Sequence, residues 1–307
     1  MTSAVVFAYH NVGVRCLSVL LAQGIDVRLV VTHRDAPGET IWFDSVAALA
    51  TRHRVATIAP EDPTAPDVVS AIRATQPDFL FSFYYRHMLC APILAAPARG
   101  ALNMHGSLLP RYRGRVPVNW AILRGESETG ATLHYMTAKP DRGAIVDQQS
   151  IPILPDDTAL DVFRKVTVAA EIVLHRSLPS LVAGTAPARE QDQSQASYFG
   201  GRRPEDGRID WRAPARSIHD LVRAVAPPYP GAFFGFGGRT VNVWRTVIDP
   251  QDGVGPARPE LQANGAEVRV RCADGMTLRI TELGFDGVKA VPDAIISVFG
   301  PAPHLLP

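Results

Sequence analysis

The sequence predicts an α/β protein with a doubly wound, mainly parallel sheet, followed by a smaller β-rich domain. Two observations carry this reading. Up to about residue 136, short β-branched apolar runs alternate with helical patterns, the signature of parallel strands joined by crossover helices. After a stretch rich in Gly, Pro, Gln and Ser at 183–207, the pattern changes to short alternating strands broken by Gly, Asp and Asn. A chain of 307 residues also exceeds what one core usually organises. Two domains are therefore expected: a Rossmann-like unit at 1–203 and an OB-like unit at 204–307.

The first unit reads in order as strand "AVVFAYH", helix 14–23, strand "DVRLVVTH", helix within "FDSVAALATRH", strand "VATIA", helix 67–76 and strand "DFLFSFYY". "GALNMH" (100–105), a helix from Pro117 to about Arg124 with Pro in its first turn, and "ATLHYM" (131–136) follow. A long helix is expected over 156–182, where Thr158 and Asp161 have capping-box spacing and Leu160, Phe163, Thr167, Ala170 and Leu174 share a face. Residues 183–207 read as a surface linker. Beyond them come a helix at 213–226 and the strands "RTVNVWR", "AEVRVRC" and "MTLRITEL"; no internal repeat is present.

Composition excludes several classes. With 46% hydrophobic and 20% charged residues and a net charge of +1, the chain is neither a disordered segment nor a basic nucleic-acid sleeve. The N-terminus lacks a basic leader and no run of about 18 apolar residues occurs, so a cytoplasmic protein without membrane insertion is expected. Cys16, Cys90 and Cys272 have no metal-ligand spacing and are expected to be buried thiols; no metal is expected.

Chemistry concentrates in "LNMHGSLLPRYRGRVPVNW" (102–120). Asn103 and His105 share strand parity, so both side chains point to one side, at the end of a strand where ligands of open α/β sheets bind. Tyr9, His10 and "YYRHM" (84–88) lie at corresponding strand ends. A His near neutral pKa can move a proton, and an Asn offers an uncharged N–H to a developing oxyanion. Asp141, in the turn-forming "TAKPDRGAIV", is the candidate carboxylate to orient the imidazole and favour its charged form. Ser107 lacks a G-x-S-x-G elbow and reads as a turn residue. Arg111, Arg113 and Arg115 are either planar forks for phosphate or carboxylate, or a solvated face.

These residues carry a resemblance. "LNMHGSLLPRYRGRVPVNWAILRGESETGATLHYM" followed by "KPDRGAIVDQ" resembles the folate-dependent formyltransferase family, which takes its formyl group from 10-formyltetrahydrofolate. "VVFAYHNVG", "FSFYYRHM" and the stretch from "RRPEDGRIDW" to "PPYPGAF" are most similar to members that formylate UDP-4-amino-4-deoxy-L-arabinose for lipid A modification and polymyxin resistance; from about residue 245 the sequence is uninformative. The resemblance implies that Asn103 holds the carbonyl oxygen, His105 transfers the proton and Asp141 raises the pKa of that His. It further implies folate contacts at His87, Met88, Leu89, Arg115, Thr137, Ala138, Lys139, Pro140 and Asp141. A familiar relative carries a second, decarboxylating domain; this sequence ends at Pro307 without one, so formylation alone is expected and oligomeric state is left open.

Four alternatives stand beside this reading. A methionyl-tRNA formyltransferase should grip its polyanion with a basic loop and a basic second domain, yet loop 32–45 sets Arg34 against Asp35, Glu39 and Asp44. Another nucleotide-linked amino sugar is a further possible acceptor, and water would make the chain a hydrolase. A dinucleotide-dependent oxidoreductase would need G-x-G-x-x-G after the first strand, but "AYHNVGVRC" holds Gly13 alone.

Overall fold

The structure is a computed structural model and describes residues 1–36, 38, 40–249, 255 and 257–307. Its first elements are β1 (Ser3–Ala8), α1 (His10–Ala22), β2 (Asp26–Val31), α2 (Val46–Arg52), β3 (Thr57–Ile58), α3 (Pro66–Ala74), β4 (Phe79–Phe83) and α4 (Ala91–Leu94). Next come β5 (Ala101–His105), β6 (Arg113–Gly114), α5 (Pro117–Leu123), β7 (Glu128–Tyr135), β8 (Ile145–Pro152), α6 (Ala159–Ala183) and β9 (Tyr198–Phe199). The remainder is α7 (Ala215–Val225), β10 (Ala232–Phe236), β11 (Arg239–Ile248), β12 (Glu260–Asn264), β13 (Glu267–Arg271), β14 (Thr277–Phe285), β15 (Val288–Lys289), α8 (Pro292–Phe299) and β16 (His304–Leu305). One unit comprises Met1–Pro117, Glu128–Pro152 and Phe163–Gly200; the other comprises Val118–Ser127, Ile153–Val162 and Gly201–Pro307.

The first unit holds a seven-stranded sheet in the order β3-β2-β1-β4-β5-β7-β8. From β3 to β5 the strands are parallel. β7 and β8 return antiparallel. Every residue of β1 and β4 is buried, which is why both read as unbroken apolar runs rather than alternating ones. On one face Val5, Phe7, Leu29, Val31 and Leu80 pack with Val68 and Ile72 of α3 and Ile93 of α4. "VATIA" retains just two paired residues because it forms the edge of the sheet.

Helix α1 begins at His10, four residues before its periodicity predicts, and the chain enters it through a left-handed His10 (φ 67°). Gly13 lies inside this helix, where a Cβ would press at 3.1 Å on the Ala8 and Val46 side chains. It serves close helix–strand packing. Helix α6 starts on the predicted capping box: the Asp161 N–H donates to Thr158 Oγ1 at 3.3 Å, and the Thr158 N–H donates to Asp161 Oδ2 at 3.0 Å. Its buried side recurs at Phe163, Val166, Ala170, Val173 and Leu174. Among the described residues α6 is the one helix long and apolar enough to cross a membrane, and half of its most apolar window is buried inside the protein.

Residues 183–207 are mostly exposed, as expected of a surface stretch, but they are not a free linker. Arg189 and Ile145 exchange main-chain hydrogen bonds at 2.9 and 2.7 Å, and β9 pairs in parallel with β6. The Phe199 ring stacks on Tyr112 with centroids 5.1 Å apart, and Gln191 is buried. The polar composition conceals this because the Gln191 amide satisfies main-chain groups and a guanidinium inside the fold, which leaves no apolar period to read.

In the second unit, strands β10-β11-β14-β13-β12-β16 form an antiparallel sheet, with β15 paired to β14. β13 alternates exposed and buried residues, as a half-solvated strand must. Ile218 and Val222 of α7 join Val241, Val243, Leu283 and Phe285 in its core, which also takes in Ile295 and Phe299 of α8.

Candidate active site

Because β1, β4 and β5 are adjacent and parallel, Tyr9 and His10, Tyr84 to Met88, and the residues after His105 all leave the same edge of the first unit's sheet. On β5, Asn103 is half-buried and His105 buried, while Met104 between them points into the opposite packing layer. Antiparallel pairing sets His134 of β7 directly opposite Asn103, on the same face.

His134 supplies a support that motif reading missed. Its Nδ1–H donates to the Tyr135 carbonyl at 2.8 Å, which leaves Nε2 to accept the Asn103 amide Nδ2–H at 3.2 Å. The Asn103 amide is thereby held with its nitrogen towards His134, and its second N–H remains for an incoming oxygen. Burial, reinforced by the neighbouring His105 and Arg113, pushes His134 down to about 4 against the opposing pull of Asp141. At neutral pH the ring is uncharged.

His105 donates from Nε2 to the Tyr112 carbonyl at 2.8 Å, so Nδ1 is the nitrogen left for proton exchange. Asp141 Oδ1 stands 3.6 Å from His105 Nδ1 and 3.7 Å from His134 Nε2, both beyond hydrogen-bond range. The other carboxylate oxygen, Oδ2, accepts the Gly114 main-chain N–H at 2.8 Å. Tyr112 (φ 58°) and Asp141 (φ 55°) both occupy the left-handed region, which non-glycine residues hold only where surrounding structure imposes it. Gly143 permits this turn: a Cβ there would overlap the Tyr135 carbonyl oxygen. The structure thus brings Asn103, His105 and Asp141 together, with the Asn103 amide held by His134 and Nδ1 of His105 turned towards the carboxylate.

The other predicted residues separate. His87 and Met88 are exposed on the loop after β4, as are Arg115, Thr137, Ala138 and Lys139, whereas Pro140 is half-buried. The Leu89 side chain, at 6% exposure, belongs to the core with Val5 and Phe7, because the loop turns back into α4 there. Arg113 likewise is neither a solvated residue nor a free fork. It is 2% exposed, with its guanidinium hydrogen-bonded to Gln191 and Gln193. Ser107 Oγ donates to the Arg111 carbonyl at 2.7 Å within the turn. Arg34, Asp35 and Asp44 are exposed, and Glu39 lies outside the described residues. Cys16 and Cys272 are buried and Cys90 is half-buried; burial pushes the Cys272 thiol up to about 12.

The chain resembles several solved proteins in fold. An N-formyltransferase from Helicobacter canadensis, in complex with folinic acid and dTDP-3-aminofucose, is 19% identical with a TM-score of 0.75, over 91% of this chain and 99% of that one. A sugar N-formyltransferase from a Shewanella species is 18% identical with a TM-score of 0.62, over 79% of this chain and 96% of that one. The methionyl-tRNA formyltransferase from Clostridium thermocellum is 15% identical with a TM-score of 0.56, over 82% and 95%. In sequence, residues 12–178 match the formyl transferase family and residues 202–294 match the formyl transferase C-terminal domain. The first match alone spans more than half of the 307 residues, and it contains Asn103, His105, His134 and Asp141. The chain belongs to the formyl transferase family.

Proposed function

We propose that this protein transfers the formyl group of 10-formyltetrahydrofolate to the amine of a nucleotide-linked amino sugar, and that the acceptor is UDP-4-amino-4-deoxy-L-arabinose. The observation that carries the reading is the convergence of Asn103, His105 and Asp141 around one position, with His134 fixing the Asn103 amide as a donor. The sugar amine attacks the formyl carbon, and Asn103 donates to the tetrahedral oxyanion. The proton lost by the amine passes to His105 Nδ1 beside Asp141 and returns to the departing N10 of tetrahydrofolate. His87, Met88, Arg115 and the 137–141 loop line the folate side, with Leu89 contributing through its main chain. Catalysis is assigned to residues 1–203 and a supporting role to the OB-like segment 204–307.

Charge favours a sugar acceptor over tRNA. Residues 204–307 carry 11 Lys and Arg against 12 Asp and Glu, and a domain without basic excess is a poor grip for a polyanion. The likeness to sugar N-formyltransferases supports the same choice, and the stretches resembling UDP-4-amino-4-deoxy-L-arabinose formyltransferases support the finer assignment. The test measures tetrahydrofolate release from 10-formyltetrahydrofolate with the UDP-sugar, with a dTDP-linked amino sugar, with initiator methionyl-tRNA, or with no acceptor. Turnover with the UDP-sugar alone is expected. Turnover without acceptor would make the chain a hydrolase, and turnover with tRNA would overturn the sugar assignment.

A further inference from the structure

Gln191 lies in the polar stretch after α6, far in sequence from the site, yet it is 5% exposed and every hydrogen-bonding position of its amide is engaged. Its Nε2 donates to the Asp141 carbonyl at 2.9 Å and to the Gly143 carbonyl at 2.7 Å. Its Oε1 accepts from Arg113 Nη2 at 2.6 Å and Nε at 3.2 Å. Gln193 completes the arrangement, accepting from Arg113 Nη1 at 3.0 Å and donating to the Gln191 carbonyl at 3.1 Å. The residue after Arg113, Gly114, gives its N–H to the Asp141 carboxylate. The Gln191 side chain therefore ties the loop that carries Asp141, at the Asp141 carbonyl, to β6 through Arg113, while the Gly114 N–H of the same strand holds the carboxylate end.

We propose that Gln191 is a positioning residue for formyl transfer, holding the main chain at Asp141 and Gly143 so that the carboxylate keeps its place between His105 and His134; this rests on the formyl-transfer reading above. The physical need is plain from the backbone. Asp141 sits in a left-handed conformation that non-glycine residues keep only where surrounding structure holds it, and its carboxylate makes no hydrogen bond to either imidazole. Its place is set by the loop and by the Gly114 N–H. A small displacement of a catalytic group costs turnover steeply, about a hundredfold for 1 Å.

Two substitutions separate this role from plain structural support. Gln191→Glu keeps the size and the acceptor for Arg113 but loses both bonds donated to the Asp141 and Gly143 carbonyls. Gln191→Met loses both sides. A positioning role predicts that Glu fails as Met does: kcat falls about tenfold to a hundredfold in each, with KM for donor and acceptor changed less than about threefold. It further predicts non-additivity, so that Gln191→Glu changes kcat less than about twofold in an Asp141→Asn background. A Gln191→Glu enzyme with parental kcat overturns the proposal, as does an undiminished Gln191→Glu effect in the Asp141→Asn background. A readout independent of turnover is the ¹⁵N resonance of His134 Nε2, which faces Asp141. The resonance is expected to shift in Gln191→Glu, and an unmoved one overturns the proposal. If the parent forms no product with any acceptor while this resonance does shift, the functional reading fails and the positioning role stands.

Discussion

Two buried histidine clusters, one in each unit, contain similar residues and are organised differently. In the second unit, α7 places His219, Asp220 and Arg223 at 3–4% exposure. His219 Nδ1 is hydrogen-bonded to Thr246 Oγ1 at 2.9 Å and Nε2 donates to the Pro155 carbonyl at 3.0 Å. Arg223 meets Asp220 Oδ1 from both Nε and Nη2 at 2.8 Å. Each of those charges has a partner at bonding distance. In the first unit the carboxylate stands 3.6 and 3.7 Å from the two ring nitrogens it faces. Asn103 keeps a half-open side and Asp141 is held in a left-handed turn. A polar cluster closed on itself stabilises, whereas one held short of closure leaves an amide N–H and a ring nitrogen for a ligand.

The largest expected effect that tests this contrast comes from removing the two histidines in turn. His105→Ala is expected to lower kcat by about 10²–10⁴-fold. His219→Ala is expected to lower the denaturation midpoint while kcat per folded molecule changes less than about twofold. A large kcat loss in His219→Ala would erase the distinction. Next in size, Asp220→Ala leaves Arg223 buried without its counter-charge and is expected to cost about 3–5 kcal/mol in urea unfolding; a loss below 1 kcal/mol would mean the pair is solvated. Asn103→Ala is expected to lower kcat about 10²–10³-fold with KM nearly constant, and a pure KM effect would remove its oxyanion role.

The smallest effect concerns pH. His134 has a folded value of about 4 against an ordinary 6.5, so between these values the unfolded chain binds the proton and the folded protein does not. Stability from the neutral ring is complete above about pH 6.5 and declines as pH falls towards 4. His134→Gln is therefore expected to flatten the difference in urea midpoint between pH 7 and pH 5. An identical difference in parent and variant would show that His134 does not carry this dependence.

Local pattern made much of this legible. β1 and β4 are read from unbroken apolar runs, α6 from its period and its Thr158–Asp161 box, and the shared face of Asn103 and His105 from strand parity. Asp141 is legible as a nearby carboxylate in a turn. His134 is less so, since its partnership with Asn103 depends on β7 returning antiparallel at one particular register, and a one-residue slip would face it the other way. Gln191 and Gln193 are illegible for a different reason. Glutamines in a polar stretch look solvated, and what engages these two is a guanidinium from the distant β6, with Gln191 buried against it and Gln193 still exposed. Arg113 is illegible for the mirror reason, because a run of alternating arginines gives no sign of which one turns inward.

What the sequence by itself determined is the set of elements and the chemical types at the site: periods of two and 3.6, caps and glycine breaks are local, and so is an Asn two residues before a His. What the tertiary structure alone decided is distance and protonation geometry. The Tyr112 carbonyl selects which nitrogen of His105 is left for chemistry, the register of β7 turns the Asn103 amide, and Gln191 sets where the Asp141 loop rests. These depend on groups brought together from positions 103 to 191 by the fold, and hydrogen-bond strength and desolvation change over fractions of an ångström that no spacing along a chain encodes.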